Sequence, residues 1–600
     1  MLRTDSTGEI PTSPQLSLYQ YEILPSESSF RVLELFPGKT SDPVSYRLRI
    51  EDWTSPPQYE AISYAWGDVR DTTYSWCDGL CLPLTESLKA GLVAMRYQDC
   101  SRLLWADAIC IDQSNREERE HQVSHMRVIY KNAKQVLVWL GKDVDNQAQK
   151  AMDLMKEIAE GCVRRIDTKE KGHIASLKDT DELWDLLPQH MMGGVKHNDS
   201  HDWSALAWFF SRPWFNRLWV IQEVNSTPNI EVLCGKARIS WDQAALAATY
   251  IEKHPKVRLS NGFPGSYYVN AYYMRRRIWF RDVTLPSFLN WGRSFCVTDP
   301  LDRVYGLMGM PPFTKMSRPF QVDYSKSTVG LYKHVTKMCI RDMQSLRILC
   351  YAQHLDEEET FPSWVPRWDR EERYRPINDS LTKVRWKASG GTKPDVRFNK
   401  DTLTLKGAVI DIIISEFSLG NDIRSKGDLA TNCILQAWDT NNERHIHHGE
   451  DEAIESIALA LTAGLGSNLR KASEDMMEFR ANFTAYLQPL LYKSGREPRV
   501  FNSFNPNADL EGSIKYEMLV KRQGRNRSLF FTKSGYVGLG PNCRQGDVVC
   551  LLFGGEVPFI LRPKDEHYQL VGDAYINGIM EGEKMEQLII DIFPMDITIM

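Results

Sequence analysis

The chain has 600 residues, and its 73 Lys and Arg against 78 Asp and Glu leave a formal net charge of −5. Neutralising a phosphate backbone needs a clustered cationic excess that this balance lacks, so a dedicated nucleic-acid binder is not expected. At 42% hydrophobic and 25% charged, the composition is that of an ordinary globular protein, and the length suggests roughly three to five folded units.

The first fourteen residues hold Arg3, Asp5 and Glu9 with no apolar run, so they do not read as a secretory signal. The longest apolar runs, at 136–140 and 548–553, fall short of the roughly 18 residues needed to cross a bilayer, and no membrane span is expected. Twelve cysteines dispersed through the chain suit free thiols in a reducing compartment, which points to the cytoplasm.

From Tyr59 onward, short apolar runs alternate with helix-period segments. Glu60-Ala-Ile-Ser-Tyr-Ala-Trp66 reads as a strand stopped by Gly67-Asp68. Residues 85–97 then place Leu88, Leu92 and Met95 at helical spacing behind Thr85 as N-cap. The run 103–111, broken only by Asp107, reads as a strand buried on both faces. Ser114 to Glu117 has capping-box spacing, and Val123, Met126, Tyr130 and Ala133 continue the helix; 136–140 follows as a third strand. The β-α-β-α-β order predicts a doubly wound, mostly parallel α/β sheet.

A charge-rich helical insertion occupies 142–202, with a loop near 193–202. Residues 203–210 and 213–224 read as helices, the second opened by Pro213 and bringing Trp219 over Glu223 at i,i+4 spacing. A hairpin is expected around Gly235, a helix over 271–288, and another at 301–308 after Asp299-Pro300. Residues 396–417 alternate like strands, 420–500 are mostly helical in pattern, and the short runs from Leu529 onward suggest a small β barrel or sandwich. The resulting divisions are 1–58, N-terminal strands; 59–224, the α/β core; 225–420, a mixed accessory region; 421–515, helical; and 516–600, β-rich.

Several motif readings fail. Gly38-Lys39-Thr40 has Leu33 where a phosphate-binding loop needs Gly, and Gly538-Leu-Gly540 sits in a β-rich context, as a turn. Cys77 and Cys81 have no second close pair, His121 and His125 lack a following Glu, and His445, His447 and His448 read as a loop, so no metal site is expected. Three acids remain. Asp107, inside an apolar run, needs a partner and is either a structural anchor or a site residue. Asp68 follows the carboxyl end of the first strand, where ligands approach doubly wound sheets, although a loop Asp is also turn chemistry. Glu223, on a very aromatic helix, is either a functional carboxylate or an ion-pair partner of Arg217 or Arg212.

Tyr59-Glu-Ala-Ile-Ser-Tyr-Ala-Trp-Gly-Asp68, Trp105-Ala-Asp-Ala-Ile-Cys-Ile-Asp-Gln113 with Gln122 to Tyr130 and Val138-Trp-Leu-Gly141, and Arg212-Pro-Trp-Phe-Asn-Arg-Leu-Trp-Val-Ile-Gln-Glu223 together resemble the heterokaryon incompatibility (HET) domain of filamentous fungi. Asp299-Pro-Leu-Asp-Arg-Val-Tyr-Gly306 and Ser363-Trp-Val-Pro366 look like sequences attached to such domains. The resemblance implies fungal nonself recognition and programmed cell death. The βαβαβ order and Trp219-Val-Ile-Gln-Glu223 are also similar to TIR domains, some of which cleave NAD with a Glu four residues after a Trp. That similarity implies a TIR/flavodoxin-like core, Glu223 as catalytic carboxylate, and Trp66, Asp68, Asp107 and Trp219 as ligand-binding residues. It further implies NAD as substrate and no tightly bound cofactor. The alternative is a non-enzymatic module that self-associates or binds protein partners.

Overall fold

The computed structural model describes residues 17–68, 70–169, 203–253, 270, 283–317, 320–354, 361–379, 382, 384–420, 428–444, 450–496, 510–585 and 594–600. The expected loop at 193–202, most of the helix expected over 271–288, the histidine run at 445–448 and the first fourteen residues lie outside the described residues. The chain divides into two compact units. The first comprises Met1–Asp282, Phe295–Lys315 and Pro319–Tyr324; the second comprises Val283–Ser294, Met316–Arg318 and Ser325–Met600.

The first unit is built on one nine-stranded sheet of order β5-β4-β2-β1-β6-β3-β7-β8-β9. Its strands are β1 Ser29–Leu35, β2 Ser45–Asp52, β3 Glu60–Tyr64, β4 Thr72–Cys77, β5 Leu80–Thr85, β6 Arg102–Trp105, β7 Gln135–Trp139, β8 Ile230–Cys234 and β9 Ala237–Ser240. The central strands β6, β3, β7 and β8 run parallel, and their near-continuous Ile, Leu and Val content suits burial on both faces. The sheet is mixed rather than mostly parallel: β2–β4 is also parallel, whereas β1–β2, β1–β6, β4–β5 and β8–β9 are antiparallel. Turn chemistry accounts for two of these pairs. Asp78 and Gly79 join β4 to β5 with φ of 49° and 79°, a two-residue turn with both residues left-handed, and Gly235 opens the β8–β9 turn at φ 57°.

Local departures from the expected elements are instructive. The run 103–111 is not one strand: β6 ends at Trp105, and Asp107–Cys110 forms a single helical turn. Asp107 accepts from the amide of Ala108 at 2.8 Å, and a carboxylate at a helical first turn competes with strand continuation. The cap of the next helix, Arg116–Asn132, is Asn115, one residue beyond Ser114, and it accepts from the Glu118 amide. The segment expected as one helix over 213–224 is a 3-10 turn, Pro213–Asn216, followed by a helix only over Val220–Asn225. Thr85 caps helix Glu86–Met95 as expected, accepting from Leu88.

In the second unit, helices span Asp428–Arg444, Glu450–Leu461, Met476–Lys493 and Leu510–Gly524. The β-rich part is a barrel. The strand labelled β10 is Val396–Phe398, and β11 is the long strand Leu403–Ser418. The ring β14 (Val548–Leu552), β15 (Phe559–Lys564), β16 (His567–Asp573), β18 (Met595–Ile599) and β11 closes through β11–β14 pairing. Past register shifts at Val409/Asp411 and Ile413/Ser415, β11 turns to pair with β12 (Arg527–Thr532), which continues to β13 (Val537–Pro541) and β17 (Tyr575–Ile576). Bulges supply the bend that closure requires. Phe530, Val549, Leu551 and Ile560 fill the interior. Beside them, Arg527 and Asp573 are paired at 2.7 Å with both side chains fully buried.

Candidate functional site

A cavity of about 830 Å³ opens in the first unit where the central strands end. Its wall takes Ala65, Trp66, Gly67 and Asp68 after β3, Asp107 after β6, and Leu140 and Gly141 after β7. Carboxyl ends of adjacent parallel strands are where open α/β sheets bind ligands, and the volume is that of a small-molecule site. Arg212 comes from the residue before Pro213, Arg217 and Trp219 from the segment after it, and Arg119 from helix Arg116–Asn132.

Four of the five residues singled out in the sequence line this cavity: Trp66, Asp68, Asp107 and Trp219. Asp107 is half-buried and accepts from the indole N–H of Trp66 at 3.0 Å. Asp68 is exposed, paired with Arg70 at 2.6 Å, and the guanidinium holds its carboxyl below the usual range. Trp219 keeps the expected i,i+4 relation to Glu223, whose amide donates to the Trp219 carbonyl at 3.4 Å, and the Trp219 indole N–H donates to Asp302 at 3.2 Å.

Glu223 is buried, 2% exposed, and is not among the cavity-lining residues. Its carboxylate accepts from the hydroxyl of Ser63 on β3, and Ser63 in turn accepts from the indole of Trp214 at 2.7 Å. Burial pushes the Glu223 carboxyl up to about 7, against the opposing charge of Arg217. No ion pair joins Glu223 to Arg217 or Arg212 among the described residues. The Tyr64 hydroxyl is buried next to Asp107 and Glu223 without a hydrogen bond of good geometry. A carboxyl poised near neutrality can exchange a proton at physiological pH, as acid–base chemistry requires.

Residues the sequence reading did not weigh as site residues complete the wall: Arg119, Asp299, Asp302 and Tyr324. Asp302 receives the Tyr324 hydroxyl at 2.7 Å, and burial raises its carboxyl to about 6. The signal available was the motif from Asp299 to Gly306, which spacing alone does not bring to the cavity.

Among the described residues no cluster of His, Cys, Asp and Glu could hold a metal. Cys77 and Cys81 are buried free thiols, and burial pushes Cys77 up to about 12. Trp53 stacks on the rings of both His121 and His125, at 5.6 and 4.5 Å. No helix among the described residues is long and apolar enough to cross a membrane.

The architecture and cavity thus define an α/β unit and a second unit that carries a barrel, and sequence comparison matches a segment in each. Residues 59–223 match the family described as heterokaryon incompatibility protein (HET), and 456–588 match the Het-6 beta-barrel domain. These two matched segments are what the chain shares with the HET and Het-6 barrel families. It is similar to heterokaryon incompatibility protein 6, OR allele, of Neurospora crassa, with 26% identity over 651 aligned positions covering 92% of this chain and 94% of that protein. No solved structure gives a significant match. The ring strands β11 and β18 lie outside the barrel match, as do Asp299, Asp302 and Tyr324 outside the HET match.

Proposed function

We propose that this protein acts in the cytoplasm in fungal nonself recognition and cell-death signalling, and that it does so by cleaving NAD in the cavity of its first unit through TIR-like chemistry. The observation that carries the reading is the cavity itself, at the carboxyl ends of parallel strands and walled by Trp66, Asp68, Asp107 and Trp219. In the reaction the bond between ribose C1′ and the nicotinamide nitrogen breaks, its electron pair leaving with nicotinamide. The oxygen of water then bonds to C1′, and the released proton passes to a carboxylate and on to solvent. Glu223 stabilises the oxocarbenium charge. Trp66 and Trp219 offer faces for the adenine or nicotinamide ring.

Because Glu223 stands behind the cavity wall, catalysis requires that wall to shift, and self-association or a protein partner is the trigger this reading assigns. The same burial favours a second reading, in which the HET unit is a self-associating module without catalysis. Incubating NAD with the full chain and separating the products decides between them. Nicotinamide and ADP-ribose should appear with wild type and be absent with a folded Glu223→Gln variant. Intact NAD with the full chain, both as isolated and after enforced oligomerisation, would leave the module reading.

A further inference from the structure

Trp219 enters the cavity wall from the HET match, yet its indole nitrogen is held from outside that match. Asp302, first residue of the four-residue helix Asp302–Tyr305, accepts from Trp219 through Oδ2 at 3.2 Å and from the Tyr324 hydroxyl through Oδ1 at 2.7 Å. Arg119 places its guanidinium carbon 4.7 Å from the Tyr324 ring centroid, backing that side of the arrangement and partly offsetting the Asp302 charge. All four side chains line the one cavity, and all belong to the same compact unit. An indole can turn about two side-chain torsions, so a fixed N–H acceptor determines which plane its ring presents to a bound ligand.

We propose that Asp302 is a positioning residue that sets the plane of Trp219 as the stacking platform for the planar base of a nucleotide, so that the ligand site of the HET unit is incomplete without the segment from Cys296 to Tyr324. This rests on the reading that the cavity accepts a nucleotide. A free indole samples several orientations, and only some of them stack, so the fraction competent to bind falls when the acceptor is removed. Stacking on an aromatic side chain contributes roughly ten- to a hundredfold in affinity per base, which bounds what Asp302 can influence through Trp219.

The test is a double-mutant cycle in the full chain with ADP-ribose as probe, read by calorimetry. Wild type should bind saturably, and Asp302→Ala should weaken binding about tenfold. In a Trp219→Leu background the same Asp302 change should cost less than twofold, because the ring through which Asp302 acts is gone. A purely structural role would weaken binding equally in both backgrounds, and that result overturns the proposal. So does an affinity within threefold of wild type for Asp302→Ala, or the absence of saturable binding by wild type. If Asp302→Ala does not fold, Asp302→Asn, which retains size and one acceptor, is put through the same cycle and should show a smaller effect of the same pattern. NAD turnover in the same samples separates the two ideas. Binding that follows the cycle without turnover refutes NAD cleavage and leaves Asp302 in its role, whereas turnover with unaltered binding in Asp302→Ala refutes the role and leaves the chemistry.

Discussion

Glu223→Gln should change how stability depends on pH. Burial raises the Glu223 carboxyl from 4.5 to about 7, so between those values the folded chain keeps a proton that the unfolded chain releases. The stabilisation from this protonated form is therefore fully present below about pH 4.5 and is lost as pH rises through 7. At about 1.4 kcal/mol per pH unit, the rise from 4.5 to about 7 gives a penalty of about 3 to 4 kcal/mol on wild type at pH 8. Glutamine carries no such penalty, and its carbonyl still accepts from Ser63. For a unit of about 300 residues, 3 kcal/mol corresponds to roughly 5 °C in Tm. Differential scanning calorimetry of both proteins at pH 4.5 and pH 8 reads this directly. Relative to wild type, the variant should gain about 5 °C on going from the acid to the alkaline buffer, other titrating groups cancelling in the comparison. A Tm difference that stays constant within 1 °C would refute the assignment of a buried, largely unpaired carboxyl.

Two further outcomes are expected. Asp107→Ala removes the acceptor of the Trp66 indole and of the Ala108 amide at a half-buried position, which should cost about 1 kcal/mol in denaturant unfolding; a loss above 3 kcal/mol would mean Asp107 sits in a tighter network than these two bonds. Asp573→Ala leaves the Arg527 guanidinium buried without its counter-charge and deprives the Ile377 amide of an acceptor, so the second unit should lose about 3 to 5 kcal/mol; a loss below 1 kcal/mol would show that water or rearrangement replaces the pair.

The central strands and the Thr85 cap were legible because hydrophobic runs and cap chemistry are local, and the later strands were legible as a β-rich region because turn residues punctuate them. What was not legible depended on distance in sequence. Asp107 looked like a strand interior because its neighbours are apolar, yet its own carboxylate bonds the adjacent amide and starts a helical turn. Trp219 and Glu223 keep the i,i+4 spacing read from the sequence, but the side-chain partners are Asp302 and Ser63, 83 and 160 residues away. Three cavity residues, Trp66, Asp68 and Asp107, were visible in motifs next to strand ends, and Trp219 in the motif that opens a helix. Asp302 and Tyr324 were not, since nothing local encodes their arrival.

The long strand β11 bears on how the second unit is made. Its first half is hydrogen-bonded to β18, with Thr404 touching Thr598 194 residues later. On the ribosome, β11 emerges well before the strand that completes its ring, and closing so long a loop is entropically costly and slow. Until residues 595–599 are released, β11 offers an unpaired edge of the kind that recruits foreign strands. A message truncated shortly before them would yield a chain with every cavity residue of the first unit but a barrel held open, and such a product is expected to depend on chaperones for its solubility.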